Sequence, residues 1–134
     1  MQGKAKILLV DDDPDFVEAT KTVLEGKSYQ VVTAYNGDDG LKKVIEERPD
    51  LIILDVIMPG KDGFAVCKEL KTDPRYYFFS KIPVLMLTVY PDDREKARLS
   101  LLEGMTMEAE DYIQKPATPE ELLRRVEELL KKYG

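Results

Sequence analysis

The stretch from Leu51 to Gly63, LIILDVIMPGKDG, constrains the fold of this chain more than any other. Four consecutive aliphatic residues without polar alternation are typical of a strand covered on both faces, as in a parallel sheet. Pro59, Gly60 and Gly63 cannot extend the strand and force a turn. Asp55 is therefore predicted at the carboxyl end of a buried strand, where open α/β sheets bind ligands. On this stretch alone, a role for Asp55 in starting the turn or capping the next helix is an equal alternative.

Length and composition favour one soluble domain. The chain has 134 residues, 43% of them hydrophobic, which suits one core, so we expect a single domain over residues 1–134. No apolar run approaches the roughly 20 residues of a membrane span. The first residues also lack the apolar region of a signal peptide. These features predict a cytoplasmic protein with no membrane partner.

The lack of histidine narrows the possible chemistry. Histidine triads, imidazole bases and histidine metal sites are excluded, which leaves carboxylates, hydroxyls and lysines. The single cysteine, Cys67, falls in an apolar helical pattern and is expected to be a buried thiol. Because the net charge is −6, we expect no direct nucleic-acid partner.

Short apolar runs alternate with helical patterns along the chain. The predicted strands are Lys6–Val10, Tyr29–Ala34, Leu51–Asp55, Val84–Leu87 and Tyr112–Gln114. The predicted helices begin at Pro14 after the N-cap Asp13, after Asn36-Gly37, at Phe64, at Asp92 and after the capping box that starts at Thr118. Because helix-length segments connect successive strands, we expect a parallel sheet with helices on both faces.

Each predicted helix has an apolar face that should contact the sheet. These faces are Phe16, Thr20, Val23 and Leu24; Leu41, Val44 and Ile45; Phe64, Cys67 and Leu70; Ala97, Leu101 and Leu102; and Leu122, Val126, Leu129, Leu130 and Tyr133. A turn-rich segment also holds four consecutive aromatic residues, from Tyr76 to Phe79. We expect two of the four to pack under this loop, and a dedicated binding patch is the alternative.

Four of the five predicted strands end on side chains suited to chemistry: Asp11 and Asp12, Asp55, Thr88 and Lys115. Carboxyl ends of parallel strands lie along one edge of a sheet, so these side chains should form one site. The carboxylates suit a hard divalent cation such as Mg²⁺. With the lysine and the hydroxyl they can surround a phosphoryl group that Asp55 accepts as nucleophile. The alternative is a set of capping acids with a surface lysine.

Four segments, LLVDDDPDF, LIILDVIMPGKDG, PVLMLT and DYIQKP, stand in the order and near the spacing of a known family. Over almost its whole length the chain resembles a response-regulator receiver domain, here a stand-alone one. The resemblance implies a flavodoxin-like fold, which is a doubly wound five-stranded parallel sheet of strand order 2-1-3-4-5 with helices on both faces.

The resemblance also implies a Mg²⁺ site. In it, Asp55 is the phosphoacceptor, and Asp12 and Asp55 are direct ligands of the cation. Asp11 acts mostly through water, and the backbone carbonyl of Ile57 completes the protein ligands.

Further roles follow from the resemblance at the last two strands. Thr88 would bond one phosphoryl oxygen and Lys115 would pair with another. Lys115-Pro116 would be a cis peptide bond, which is nearly confined to X-Pro. Tyr112 matches the aromatic switch position, whose ring would turn inward as Thr88 moves.

The implied function is a phosphorylatable switch. A partner histidine kinase or histidine phosphotransfer protein donates a phosphoryl group to Asp55 in a Mg²⁺-dependent reaction, and the binding surface for a downstream protein target then changes. The domain would catalyse only its own phosphorylation and dephosphorylation. Its kinase, signal and target are not encoded in recognisable motifs.

The chain departs from the family pattern at three places. Val89 follows Thr88, where a small residue is usual, and Tyr90 comes next. Their bulk is expected to slow hydrolysis, so that replacing both with alanine should speed the loss of phosphate, and an unchanged rate would refute the idea. The segment between Thr88 and Lys115 is about five residues longer than usual, and Ala117 stands where phenylalanine is common.

Two other functions compete with this interpretation. A haloacid-dehalogenase-type phosphatase would use Asp11-x-Asp13 as its nucleophile motif, with Thr88 and Lys115 as later partners. It would leave Asp55 without a role, and its late acidic pair has no clear counterpart. A pseudo-receiver would bind a partner regardless of phosphate, although the residues expected to be lost in such a scaffold are all present.

Overall fold

The computed structural model of the chain describes residues 5–88, 109–114 and 117–133. Several sequence predictions lie outside these residues: the helix from Asp92 to Leu102, the roles of the Thr88 side chain and of Lys115, the cis bond between Lys115 and Pro116, and the effect of Val89 and Tyr90 on hydrolysis.

The described strands form one parallel sheet. They are β1 (Lys6–Val10), β2 (Gln30–Ala34), β3 (Leu51–Asp55), β4 (Val84–Thr88) and β5 (Asp111–Gln114). Every neighbouring pair is parallel and the order is β2-β1-β3-β4-β5. The predicted strand order of 2-1-3-4-5 is confirmed.

Four α-helices and one 3-10 helix connect or follow the described strands. They are α1 (Pro14–Glu25), α2 (Gly37–Glu47), α3 (Gly63–Thr72), the 3-10 helix (Pro74–Phe79) and α4 (Pro119–Tyr133). None of these helices has the length and apolar character that crossing a membrane requires.

Side-chain caps fix where the helices begin. Asp13 accepts hydrogen bonds from the amides of Asp15 and Phe16 at the start of α1, as predicted. Asn36 accepts one from the amide of Asp39, and Thr118 Oγ1 accepts one from the amide of Glu121. Each cap satisfies backbone donors that have no partner within the helix.

The sheet separates two apolar clusters, one on each face. Leu8 and Val10 pack toward α2 and α3, whereas Ile7 and Leu9 pack toward α1 and α4. All five residues of β3 are buried, including Asp55. The unbroken apolar runs in the sequence therefore arise because side chains on both faces of the sheet are covered.

Two predicted core positions are wrong. Ile45 is 46% exposed and Tyr133 is 45% exposed. In α2 the buried side consists of Gly37, Gly40, Leu41 and Val44. A Cβ atom on Gly40 would lie only 3.1 Å from Val10 Cγ2, so the helix turns its small residues toward the sheet. In this orientation Ile45 lies at the edge of the face that contacts the sheet, and its side chain is partly exposed to solvent.

The aromatic segment divides as predicted. Tyr76 is buried and Phe79 packs partly against the cluster under α2 and α3. Tyr77 and Phe78 are 72% and 89% exposed, with ring centroids 5.4 Å apart in an edge-to-face arrangement.

Candidate metal centre

Three carboxylates meet at the carboxyl edge of the sheet. Asp11 and Asp12 directly follow β1, and Asp55 is the last residue of the neighbouring strand β3. One oxygen from each of the three lies within 4.8 Å of the others. The structure thus brings together the acids that strand order alone had suggested.

The three acids differ in their surroundings. Asp11 is fully buried and Asp55 is 4% exposed, whereas Asp12 is exposed. The backbone amide of Asp11 donates to the carbonyl of Ala34 over 3.1 Å, which continues the β1–β2 pairing by one residue. Its Oδ1 accepts a hydrogen bond from the amide of Asp13 over 3.0 Å. Asp11 is therefore held from both its backbone and its side chain.

The composition of this cluster suits a hard divalent cation. Three carboxylates at this separation repel one another, and a bound cation offsets that repulsion. All the offered ligand atoms are oxygens, the type that Mg²⁺ and Ca²⁺ prefer, and the exposed Asp12 leaves the site accessible from solvent. The cluster is therefore able to bind a metal ion.

The chain turns sharply after Asp55. The amide of Val56 donates to the carbonyl of Leu87 over 2.9 Å, and the amide of Gly63 donates back to the carbonyl of Val56 over 2.8 Å. Gly60, at the tip, has a φ of +76°, which favours glycine. Ile57 lies on this turn with 60% of its surface exposed. Its carbonyl group belongs to the segment directly beside the acidic cluster.

Gly63 allows α3 to begin against the end of β3. A Cβ atom at this position would overlap the carbonyl oxygen of Asp55 and lie 2.7 Å from Val56 Cα. The sequence signalled a turn at this glycine, but not the backbone contact with the proposed acceptor. Asp62 adds the N-cap of α3, accepting a hydrogen bond from the amide of Ala65.

Lys61 connects the turn to two helices. Its Nζ lies 2.6 Å from Glu69 Oε1 in α3 and 3.0 Å from Asp38 Oδ1 in α2. Hydrogen bonds from Lys61 to Glu69 and Asp38 raise the pKa of its ammonium group. This connection could not be predicted from the sequence, because positions 38, 61 and 69 match no helical or strand period across the three elements.

The remaining predicted site residues are placed in part. Thr88 ends β4 opposite Gln114, and Asp55 lies opposite the preceding Leu87. Tyr112 lies on β5 opposite Met86 and packs against the cluster under α2 and α3. The Thr88 side chain and Lys115 lie outside the part of the chain that the structure describes.

The family model described as the response regulator receiver domain matches residues 7–127. The alkaline phosphatase synthesis transcriptional regulatory protein PhoP of Bacillus subtilis is 39% identical over 127 residues, which are 95% of this chain and 49% of PhoP. The DNA-binding response regulator MtrA of Mycolicibacterium smegmatis is 36% identical over 129 residues, 96% of this chain and 52% of MtrA.

Solved structures agree with these matches. A putative response regulator from Chloroflexus aurantiacus superposes with a TM-score of 0.81 at 35% identity, covering 96% of this chain and 98% of that one. The chemotaxis protein CheY4 of Vibrio cholerae gives a TM-score of 0.78 at 33% identity, covering 95% and 99%.

The chain spans about half the length of PhoP and MtrA, so their whole activities do not transfer to it. The family match, however, includes the acidic cluster, the five strands except for the first residue of β1, and most of α4. The chain belongs to the response regulator receiver domains of two-component systems.

Proposed function

We propose that this receiver domain accepts a phosphoryl group on Asp55 in a Mg²⁺-dependent reaction and then changes its binding surface. The supporting observation is the acidic cluster, in which oxygens of Asp11, Asp12 and Asp55 lie within 4.8 Å of one another. Asp55 is the member that closes the buried central strand, beside the turn that carries Ile57.

Four groups would hold the cation. Asp12 and Asp55 are the proposed direct ligands, Asp11 acts mainly through water, and the Ile57 carbonyl completes the protein set. When bound, Mg²⁺ offsets the negative charge of the phosphoryl oxygens. Asp55 is the nucleophile, and Thr88 and Lys115 are proposed to bond two of the transferred oxygens.

The phosphoryl transfer needs no reactant other than Asp55 and the phosphohistidine of the donor. A carboxylate oxygen of Asp55 forms a bond to phosphorus as the bond between phosphorus and the donor's histidine nitrogen breaks. Water later cleaves the acyl phosphate, which returns the Asp55 carboxylate and inorganic phosphate. The domain in this way promotes its own phosphorylation and dephosphorylation rather than turning over a free substrate.

The proposed partners are a histidine kinase or histidine phosphotransfer protein and a downstream protein target, and the proposed compartment is the cytoplasm. Phosphorylation adds about two negative charges, which would bias Thr88 and Tyr112 between two arrangements. We further propose that residues 1–134 act as one domain and make no direct contact with nucleic acid, as their net charge of −6 favours. Binding to duplex DNA by this segment alone would contradict that proposal.

The test compares the wild-type protein with Asp55→Asn. Each is mixed with beryllofluoride or acetyl phosphate, with Mg²⁺ or with a chelator, and followed by NMR spectra and intact mass. In the wild type with Mg²⁺ we expect a spectral change with either reagent and a phosphate mass increment with acetyl phosphate, and neither effect in the variant. An unresponsive wild type would instead indicate a pseudo-receiver.

The same samples test the phosphatase alternative. Release of phosphate from small phosphoesters that depends on Asp11 and Asp13, but not on Asp55, would overturn our proposal. The structure already gives Asp13 a different role, because its carboxylate caps α1 through the amides of Asp15 and Phe16.

A further inference from the structure

We propose that Lys61 is a positioning residue for the cation site, because it fixes the turn that carries the Ile57 carbonyl between α2 and α3. The inference rests on the proposed function, in which that carbonyl is a metal ligand. Lys61 itself would touch neither the cation nor the phosphoryl group.

The ammonium group of Lys61 is held at two points on different elements. Nζ lies 2.6 Å from Glu69 Oε1 and 3.0 Å from Asp38 Oδ1. The Lys61 side chain is 26% exposed and that of Glu69 is 21% exposed, so this pair is screened less than a surface pair. Asp38, at 81% exposure, is the weaker anchor.

The same region is tightly packed around the backbone of the turn. A Cβ atom on Gly37, the first residue of α2, would lie 2.7 Å from Val66 Cγ2 and 3.0 Å from the carbonyl oxygen of Lys61. The start of α2 therefore presses against both the turn and α3. Lys61 links these three elements through its side chain, beside this close contact at Gly37.

The turn has few other anchors along its length. Its ends are fixed by the hydrogen bond from the Gly63 amide to Val56 and by the Asp62 cap of α3. Between them, Met58 is buried in the cluster under α2 and α3, whereas Ile57 is 60% exposed and Gly60 has open space around its α-carbon. The ion pairs of Lys61 thus add a charged restraint between this turn and both α2 and α3 to the apolar packing of Met58.

Glu69 continues the connection away from the site. Its second oxygen, Oε2, accepts from Arg75 over 2.9 Å, and Arg75 also pairs with Asp73 at the start of the 3-10 helix. Glu69 is therefore shared between Lys61 and Arg75. This arrangement holds its carboxylate in place for Lys61 and makes Glu69→Gln a second means of weakening the turn.

The test measures Mg²⁺ affinity by calorimetry and by NMR titration, independently of phosphorylation. We expect Lys61→Met to weaken Mg²⁺ binding by about 3- to 10-fold, somewhat less than the 10- to 100-fold typical of groups that directly support a ligand. Lys61→Arg should restore affinity to within about twofold, because it can span the same two carboxylates. Glu69→Gln should weaken binding in the same direction.

The matched control is Lys6→Met. Lys6 also pairs with a helix carboxylate, Glu47, over 3.1 Å and has a similar side-chain exposure of 29%, but it lies at the start of β1, at the opposite edge of the sheet. Its removal should leave Mg²⁺ affinity unchanged. Equal losses in both variants would indicate a general effect of charge and overturn the inference.

The outcomes separate the inference from the proposed function. A wild-type protein that does not bind Mg²⁺ would refute the function itself. Wild-type binding with an unchanged affinity in Lys61→Met would refute the role of Lys61 and leave the function intact. Should Lys61→Met unfold, Glu69→Gln decides the question by the same measurement.

Discussion

Asp12 is the exposed member of the acidic cluster, whereas Asp11 and Asp55 are buried. Its charge can be removed without leaving a cavity or an unsatisfied buried group. The other two acids would each lose more than a charge on substitution, because Asp11 Oδ1 accepts from the amide of Asp13 and Asp55 closes a covered strand. A substitution at Asp12 therefore measures the charge repulsion within the cluster without the added effects of a cavity or a lost hydrogen bond.

We predict that Asp12→Asn stabilises the metal-free protein and reduces its stabilisation by Mg²⁺. At a separation near 5 Å in a water-like environment, removing one of three like charges should raise the free energy of unfolding by about 1 kcal/mol. Urea denaturation with chelator and with saturating Mg²⁺ measures both effects. Asp15→Asn is the control and should slightly destabilise the protein, since Asp15 lies in the first turn of α1. A metal-free Asp12→Asn protein less stable than wild type would contradict the prediction.

The two glycines of the turn after Asp55 should respond differently to alanine. Gly63→Ala places a Cβ atom against backbone atoms of Asp55 and Val56, which cannot move without shifting β3, and should cost about 3 kcal/mol. Gly60→Ala meets no atom within 4 Å, but its φ of +76° should cost about 1 kcal/mol. Denaturant unfolding of both variants gives the comparison, and equal costs would show that the close approach at Gly63 is unimportant.

The sequence allowed the acids of the site to be identified but not their supporting residues. Asp11, Asp12 and Asp55 could be found because each follows an apolar strand, and parallel strands bring such ends to one edge. Lys61 could not be found in this way, because its partners depend on how α2 and α3 pack. The contact of Gly63 with β3 is likewise a property of the packed structure.

At the scale of elements, the 3-10 helix shows how one short segment serves both core and surface. Asp73 caps it and accepts from the amide of Arg75, whose guanidinium hydrogen bonds lower the pKa of the Asp73 carboxyl. Consecutive aromatic side chains on such a tight helix point in different directions, so Tyr76 turns inward while Tyr77 and Phe78 remain exposed.

We predict that Tyr76→Ala destabilises the protein by about 3 kcal/mol, because it empties a buried aromatic site. The double variant Tyr77→Ala, Phe78→Ala should change stability by less than about 0.5 kcal/mol, since both rings are exposed. Thermal and urea unfolding would measure the difference. A large loss in the double variant would mean that the exposed rings support the fold.

Local signals predicted the ends of elements better than the orientation of helices. Asp13 and Thr118 are recognisable from capping chemistry, and Asn36 from turn chemistry, both of which act within a few residues. Ile45 in α2 and Tyr133 at the end of α4 extend apolar patterns but are exposed, and the buried side of α2 consists of Gly37 and Gly40 together with Leu41 and Val44. A search for apolar residues finds Leu41 and Val44 but does not detect the two glycines on the same face.

At the scale of the whole molecule, Lys71 joins segments that lie far apart in the chain. From α3, its Nζ donates to the carbonyls of Ser80 and Ile82, each over 2.8 Å, and to Glu110 Oε2 over 3.1 Å. Glu110 in turn accepts from the amide of Val84 over 2.7 Å. One ammonium group thus connects α3, the loop before β4 and the residue before β5. Lys71 and Glu110 are 39 positions apart, so no local sequence pattern predicts that they pair.

We predict that Lys71→Met costs about 3 kcal/mol in stability. The Lys71 side chain is 9% exposed, and its loss removes the ammonium donor from two carbonyls and from Glu110 Oε2, so that Glu110 keeps only the Val84 amide among the donors described above. Lys6→Met, which removes a more exposed ion pair with Glu47, should cost less than about 1 kcal/mol. Urea denaturation of both variants tests the contrast, and similar costs would argue against a special role for Lys71.

The burial of Asp55 also limits how other molecules can reach it. The residue is 4% exposed, at the end of a strand covered on both faces, and the exposed neighbour in the acidic cluster is Asp12. Under the proposed function, a donor histidine and a hydrolysing water must therefore both reach the same largely buried group, and among the described acids of the cluster Asp12 is the one that meets solvent. Phosphoryl transfer to Asp55 and hydrolysis of its acyl phosphate are then mutually exclusive events. A donor protein that stays bound after transfer would therefore protect the acyl phosphate from water.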